Sequence, residues 1–260
     1  MLNHSGNASN SESLAALQQK ISIPSIWGLG ERLVPDHMAD DPASQRIMEI
    51  HLLHYELAAR QVSGRRVLDI ACGSGYGSKI LKQAGAKSVV GVDLSSDTIR
   101  YAQQRYPDEG IEFICADAVS FDWSEQFDVI VSFETIEHLP HPDQFLRRLH
   151  SLLVAKGDFY LSVPLGETRH FDPYHLHAFT QLEFFNLLEN AGFAVELYRC
   201  DDLFLTRAQL NEWEKLYPNA PKPSVRELLL TSRGRRTLLD LLSRGGLSIP
   251  QLFVATRPFL

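Results

Sequence analysis

The chain has 260 residues, a formal net charge of −7, and 44% hydrophobic against 22% charged side chains. Those are globular values, and the length suits one large domain or two small ones. The acidic balance argues against a nucleic-acid partner, whose phosphates demand a basic surface. No apolar run reaches the 18 residues of a membrane span. Three cysteines (Cys72, Cys115, Cys200), odd in number and without metal spacing, read as reduced thiols of a cytoplasmic protein.

Residues 1–13 are rich in Ser and Asn and are expected to be disordered, without the basic-then-apolar pattern of a secretory signal. Residues 14–60 read as an N-terminal helical cover, interrupted at Gly30-Glu31-Arg32-Leu33-Val34-Pro35. Within 45–60, Ile47, Ile50, Leu53 and Leu57 recur at helical spacing. This cover either packs on a sheet edge or closes over a ligand, with Arg32 or Tyr55 reaching in.

Strands and helices then alternate through the remaining domain, 61–260. The pattern predicts strands at 66–70, 88–92, 111–115, 127–132, 158–163 and 193–198. It predicts helices at about 76–84, 97–105, 143–154 and 181–190. Ser95-Ser96-Asp97 supplies an N-cap cluster, Lys156-Gly157 a C-cap signal, and Thr180 with Glu183 a capping box ahead of Gly192. Residues 201–246 break the rhythm with apolar-periodic helices at 210–216, 225–230 and 236–242 around Pro218 to Pro223. Padding of the fold, a substrate lid and a surface for a second copy of the chain are three readings of that stretch. A last strand is expected at 252–256. The fold class is α/β: a Rossmann-like, mostly parallel sheet with helices on both faces, an N-terminal helical cover and a helical insertion before the last strand.

The stretch Val67-Leu68-Asp69-Ile70-Ala71-Cys72-Gly73-Ser74-Gly75-Tyr76-Gly77 organises the chain. A buried strand runs into a glycine-rich turn that opens a helix, which suits a nucleotide-like ligand at helix-terminal N–H groups. Gly73, Gly75 and Gly77 let the backbone turn sharply and let a ligand approach. Asp69 stands four residues before Gly73, and a fixed carboxylate beside a phosphate is repulsive by roughly 1 kcal/mol at 4 Å even in water. A cationic ligand is favoured instead. S-adenosylmethionine, with an ammonium, a sulfonium and no phosphate, answers that description.

Three further positions follow strand ends. Asp93, about 20 residues after the turn, is placed to accept ribose hydroxyls, with Leu94 beside it. An NAD enzyme would carry the same acid, so this position leaves both cofactors open. Asp117 and Ala118 follow the third strand, near Phe121 and Trp123. Ser132-Phe133-Glu134-Thr135-Ile136-Glu137-His138-Leu139-Pro140 follows the fourth, where ligands of open α/β sheets bind. Glu134, Glu137 and His138 could share one helical face. His138 could take a proton from a hydroxyl, with Glu137 orienting it. His170-Phe171-Asp172-Pro173-Tyr174-His175-Leu176-His177 forms a loop on the same rim, so His175 or His177 could join Glu137 and His138 around Mg2+ or another divalent metal.

The glycine turn with its acid resembles motif I of the class I S-adenosylmethionine-dependent methyltransferases, although that motif usually has Gly or Ala where Cys72 stands. With Gly30-Glu31-Arg32-Leu33-Val34-Pro35 and the Glu134–Pro140 segment, it resembles the branch holding bacterial sugar and polysaccharide O-methyltransferases. The resemblance implies a seventh, antiparallel strand. It also implies S-adenosylmethionine held by Asp69, Gly73, Gly75, Asp93, Leu94, Asp117, Ala118 and Glu134, with the Asp117 acid on the adenine amino group and the next backbone N–H on a ring nitrogen. The expected activity is methyl transfer to a hydroxyl of a sugar, glycan or other small polar acceptor, with His138 and Glu137 catalytic. Glu134-Thr135-Ile136-Glu137-His138 also resembles the turn of small-RNA 3′-terminal 2′-O-methyltransferases, which implies a metal-assisted alternative. An NAD-binding Rossmann enzyme and a non-catalytic S-adenosylmethionine-binding module complete the alternatives.

Overall fold

A computed structural model describes residues 33–37, 42–166, 174–216, 235, 239–240 and 242–259. The tail 1–13, Gly30 to Arg32, His170 to Pro173 and the segment Pro218 to Leu230 lie outside the described residues. Seven strands form one sheet: β1 (Arg66–Ile70), β2 (Ser88–Asp93), β3 (Ile111–Cys115), β4 (Phe127–Phe133), β5 (Leu153–Pro164), β6 (Phe193–Thr206) and β7 (Gly246–Pro258). Their spatial order is β3-β2-β1-β4-β5-β7-β6. Pairings among β1 to β5 are parallel, and β7 runs antiparallel to both β5 and β6. The strand order reverses between β1 and β4, and a crevice forms where that happens in such sheets.

Burial on both faces explains the apolar strand cores. Alternation sends Leu68, Ile70, Val90, Val92 and Ile130 to one side, against Phe145 and Leu149 of α4 (Pro142–Leu152) and Phe184 and Leu188 of α5 (Gln181–Asn190). Val67, Val89, Val129 and Val131 face the other side, with Tyr55 and Ala58 of α1 (Pro42–Ala59) and Leu81 of α2 (Tyr76–Gln83). Between β2 and β3 lies α3 (Ser96–Arg105), whose Ala102 and Ile99 pack on Phe113. The helix starts follow local chemistry. Ser95 accepts from Thr98 N–H to cap α3, Pro142 occupies the first turn of α4, and Thr180 and Glu183 form the capping box of α5.

Two expectations need correction. Helix α4 ends at Leu152, and Lys156-Gly157 belongs to β5 rather than to a helix C-cap. Leu153 already pairs with Phe127, and the register then shifts so that Val129 meets Asp158. Residues 154–157 are taken up in that irregularity, where a Cβ on Gly157 would lie 2.6 Å from the Leu153 side chain. The second correction concerns 201–246. Residues 201–206 continue β6, and β7 begins at Gly246, so the two strands pair as far as Thr206 with Gly246. Helix α6 (Arg207–Leu216) follows directly. The alternation in Leu203-Phe204-Leu205 is a strand's, because Leu203 and Leu205 are buried against Ile249 and Ile50.

Candidate active site

The glycine turn is built as its residues demand. Gly73 and Gly75 adopt φ of 54° and 84°, and Gly75 caps α2 in the left-handed region. A Cβ on Gly75 would lie 2.7 Å from Ala102 and 2.9 Å from Phe113, so only glycine lets the turn lie on α3 and β3. Asp93 pins the turn to the end of β2. Its Oδ2 accepts from Gly73 N–H at 3.1 Å and its Oδ1 from Ser95 N–H at 2.9 Å. Among the described residues, two that are not glycine also hold positive φ, Ala71 at 63° and Glu134 at 48°. They end the neighbouring strands β1 and β4, at the order reversal, where a functional site concentrates unusual backbone.

Asp69 does not sit where the charge argument puts it. Its carboxylate is buried and turned toward α1 and α2, accepting from Tyr55 O–H at 3.0 Å and Ser78 O–H at 2.6 Å. Burial raises its pKa to about 7, against the lowering pull of those two hydrogen bonds. The glycine at 77 serves the same junction. A Cβ there would fall 1.9 Å from the Tyr55 ring, so its role is to seat Tyr55 rather than a ligand.

A cavity of about 340 Å³ opens along the carboxyl edge of the sheet. Its lining follows strand order: Asp117 and Ala118 after β3, Asp93 and Leu94 at β2, Ala71 to Gly73 after β1, and Glu134 after β4. Beyond these come Pro164 of β5, Gln251 and Ile249 of β7, and Leu203 of β6. Tyr55, His51, Ile50 and Ile47 close it from α1, along one helical face. Leu94 is two-thirds exposed, an apolar side chain left bare on the cavity. Asp117 Oδ1 accepts from Val119 and Ser120 N–H, which leaves Oδ2 without a hydrogen bond among the described residues. Phe121 and Trp123 stack on one another and pack into the core under this turn, and neither lines the cavity.

At the end of β4, Glu134 is held by Ser162, whose O–H donates to its Oε1 at 2.6 Å. Burial pushes the Glu134 carboxyl up to about 7. A short 3-10 turn (Ile136–His138) follows, rather than the full helical turn expected. Glu137 is fully buried, and its carbonyl accepts from Leu176 and His177 N–H, which anchors the 174–177 loop. His138 Nε2 lies 3.8 Å from Glu137 Oε1, and His138 Nδ1 lies 3.3 Å from the Tyr174 carbonyl. The His175 ring stands edge-on to His138, centroids 4.8 Å apart, and burial lowers its pKa to about 3. Glu137, His138 and His175 each present one ligand atom, all within 4.8 Å of one another. Glu134 is not in that group, and His177 turns away to the Leu139 carbonyl at 2.9 Å.

Comparison with known proteins decides what this edge belongs to. Residues 43–198 match the family model described as a methyltransferase domain. The chain belongs to that methyltransferase family. A protein of Mycolicibacterium smegmatis named "Probable S-adenosylmethionine-dependent methyltransferase" is 31% identical over 188 residues, 67% of this chain and 68% of that protein. A ubiquinone biosynthesis O-methyltransferase of Pseudomonas entomophila is 31% identical over 105 residues, 39% of this chain and 45% of that one. Among solved structures, the N-methyltransferase NodS of Bradyrhizobium japonicum, in complex with S-adenosyl-L-homocysteine, shares the fold with a TM-score of 0.55 and 16% identity. That match covers 94% of this chain and 97% of NodS.

The methyltransferase is S-adenosylmethionine-dependent, and of the residues expected to hold that cofactor Gly73, Asp93, Leu94, Asp117, Ala118 and Glu134 line the cavity. Gly73 lines the cavity as bare backbone, with no protein atom within 4 Å of where a Cβ would stand. Asp93, which clamps Gly73 and Ser95, also lines the cavity. The carboxylate facing the cavity beside the turn is Glu134, not Asp69, so the negative group moves one strand over from where the sequence argument puts it. Three residues that sequence reading did not single out, Ile249, Gln251 and Leu203, also line the cavity. Their signal is weak, because each lies on a strand face and reaches the site only through the pairing of β6 with β7.

Proposed function

We propose that the methyltransferase moves a methyl group from S-adenosylmethionine to a hydroxyl of a small acceptor, with His138 receiving the hydroxyl proton. The observation that carries this reading is the placement of His138 on the cavity at the end of β4, with Glu137 Oε1 3.8 Å from Nε2. Donation from Nδ1 to the Tyr174 carbonyl leaves Nε2 as the basic nitrogen. The buried Glu137 carboxylate then stabilises the imidazolium that forms. Asp93 and the 73–75 turn would hold the ribose and methionine parts, Glu134 the cationic end, and Asp117 with Leu94 and Ala118 the adenine. When bound, S-adenosylmethionine supplies a methyl group already activated on a sulfonium. The protein's main task is therefore to align the acceptor oxygen and take its proton.

The test is a comparison of wild type with His138→Ala. Calorimetry should give equal S-adenosylmethionine affinity, while formation of S-adenosylhomocysteine with an accepted substrate falls by about 10²- to 10⁴-fold. Equal turnover in the variant would sink the assignment of the proton acceptor. A wild-type protein that binds S-adenosylmethionine but turns over no hydroxylic acceptor would support the binding-module reading instead.

A second reading is favoured by the convergence of Glu137, His138 and His175. A divalent ion there would lower the pKa of the acceptor hydroxyl. Two imidazole nitrogens and one carboxylate suit Mn2+, Fe2+ or Zn2+ better than Mg2+, which prefers an all-oxygen shell. Full activity in excess EDTA would end this reading. Loss of activity restored by Mn2+ or Zn2+ would favour it over simple base catalysis.

A further inference from the structure

We propose that the acceptor is a hydroxylated compound with an apolar body, seated against α1, β6 and β7 and held by the side-chain amide of Gln251. The inference rests on the methyl-transfer reading for one point only: which end of the cavity the acceptor takes. From β3 to β4 is three inter-strand steps, about 14 Å, and the acids that suit the cofactor lie along them. The other end, from β5 to β6, is left for the acceptor.

That end is apolar. Ile47 and Ile50 project from α1 one turn apart, and Leu203 and Ile249 are cross-strand partners on β6 and β7. Together with Leu205 these side chains form a cluster separate from the two main cores, and it exists because β6 and β7 run on past the edge of the parallel sheet. Gln251 stands among them. It is 4% exposed, lines the cavity and makes no side-chain hydrogen bond with any described residue. An amide brings two donor hydrogens and an acceptor oxygen, and those of Gln251 open on the cavity rather than being sealed in the core. A ligand oxygen beside it can pair with the amide without displacing a described protein partner. The nearby His51 is already engaged with the Tyr76 hydroxyl at 3.2 Å.

The expected sugar or glycan acceptor does not suit these walls. A sugar ring presents a hydroxyl on almost every carbon, and each one buried against isoleucine or leucine would lose its hydrogen bonds to water without replacement. A hydroxylated ring or chain with one further oxygen matches an apolar wall that carries a single amide.

The experiment uses the full chain saturated with S-adenosylhomocysteine, titrated by calorimetry with catechol, 4-butylcatechol and methyl α-glucopyranoside. Each methylene buried on the isoleucine wall should tighten binding about fourfold at most, so 4-butylcatechol should bind at least tenfold tighter than catechol. Ile249→Ser should erase most of that gain, and Gln251→Ala should weaken both catechols several-fold. Both variants should keep the S-adenosylhomocysteine affinity of wild type, which controls for folding. The proposal is overturned if the butyl chain gains nothing, if Ile249→Ser leaves the gain intact, or if the glucoside binds as tightly as 4-butylcatechol. Turnover separates the two levels. Binding of 4-butylcatechol with no S-adenosylmethionine-dependent methylation of any hydroxylic acceptor would remove the methyl-transfer reading and keep the subsite. Methylation of the glucoside with the catechols ignored would do the reverse.

Discussion

The Tyr55 hydroxyl donates to the Asp69 carboxylate across 3.0 Å, and the Tyr55 ring fills the space that a side chain at position 77 would need. One aromatic residue thus ties α1 to both the first strand and the start of α2. The acid that begins the glycine motif is a structural anchor here, and Ser78 completes it from α2. Tyr55→Phe removes a buried hydrogen bond to that acid and should cost about 1–3 kcal/mol of stability by denaturant titration. The pH dependence has a definite sign. The folded pKa of Asp69 is raised to about 7 from 3.8. Its favourable contribution is therefore full below about pH 4 and is lost as pH rises through 7. Glu134 adds a slope of the same sign. Asp69→Asn should flatten part of the fall in stability between pH 4 and 7, and an unchanged slope would contradict the assignment.

Gly77→Ala should be much more damaging than Gly73→Ala. The first drives a methyl group to 1.9 Å from the Tyr55 ring, and the second meets no protein atom and only strains a backbone at φ 54°. The expected losses are about 3 kcal/mol and about 1–2 kcal/mol. A double-mutant cycle provides the sharper check: in a Tyr55→Leu background the penalty at position 77 should shrink.

Cofactor affinity should follow the ionisation of Glu134. Its carboxyl is neutral when protonated below about pH 7 and negative above, so the binding of cationic S-adenosylmethionine should tighten several-fold between pH 6 and 7.5. Glu134→Gln should remove that dependence, whereas Asp69→Asn should leave most of it. Asp93→Ala should lower affinity at every pH by tenfold or more, since it removes both the proposed ribose partner and the clamp on Gly73. Isothermal titration across the pH range distinguishes the three.

His54 sits wholly inside, between Phe133 and Phe253, with neither ring nitrogen hydrogen-bonded to any described residue. Burial lowers its pKa to about 3. A depressed base contributes stability above its unfolded pKa of 6.5 that is lost as pH falls toward the folded value. The slope is roughly 1.4 kcal/mol for each pH unit in that window. His54→Leu should raise stability at pH 4 to 5 and leave S-adenosylmethionine binding at pH 8 intact. If acid denaturation midpoints coincide in the two proteins, the ring is not the acid-labile element.

The strand ends were legible because each carries a local signature: an apolar run, then Asp93, Asp117 or Glu134 at its close. The orientation of Asp69 was not. Alternation alone cannot tell which face of a doubly buried strand meets the ligand, and the partners Tyr55 and Ser78 come from two different helices. The meeting of His138 with His175 could be anticipated from a shared rim, but the turning of His177 toward the Leu139 carbonyl could not. The far halves of β6 and β7 were hidden because Leu203, Phe204 and Leu205 also suit a helix face. Only pairing with Ile249 and Leu247 decides for a strand, and with that decision goes the wall that holds Gln251.

Thr206 pairs with Gly246, and Arg207 N–H donates to the Gly245 carbonyl at 2.9 Å. The 39-position stretch from 207 to 245 therefore leaves and rejoins the sheet at a single point, the end of the β6–β7 pairing. A segment clipped at its base in this way can lengthen, shorten or be exchanged without shifting the register of any strand.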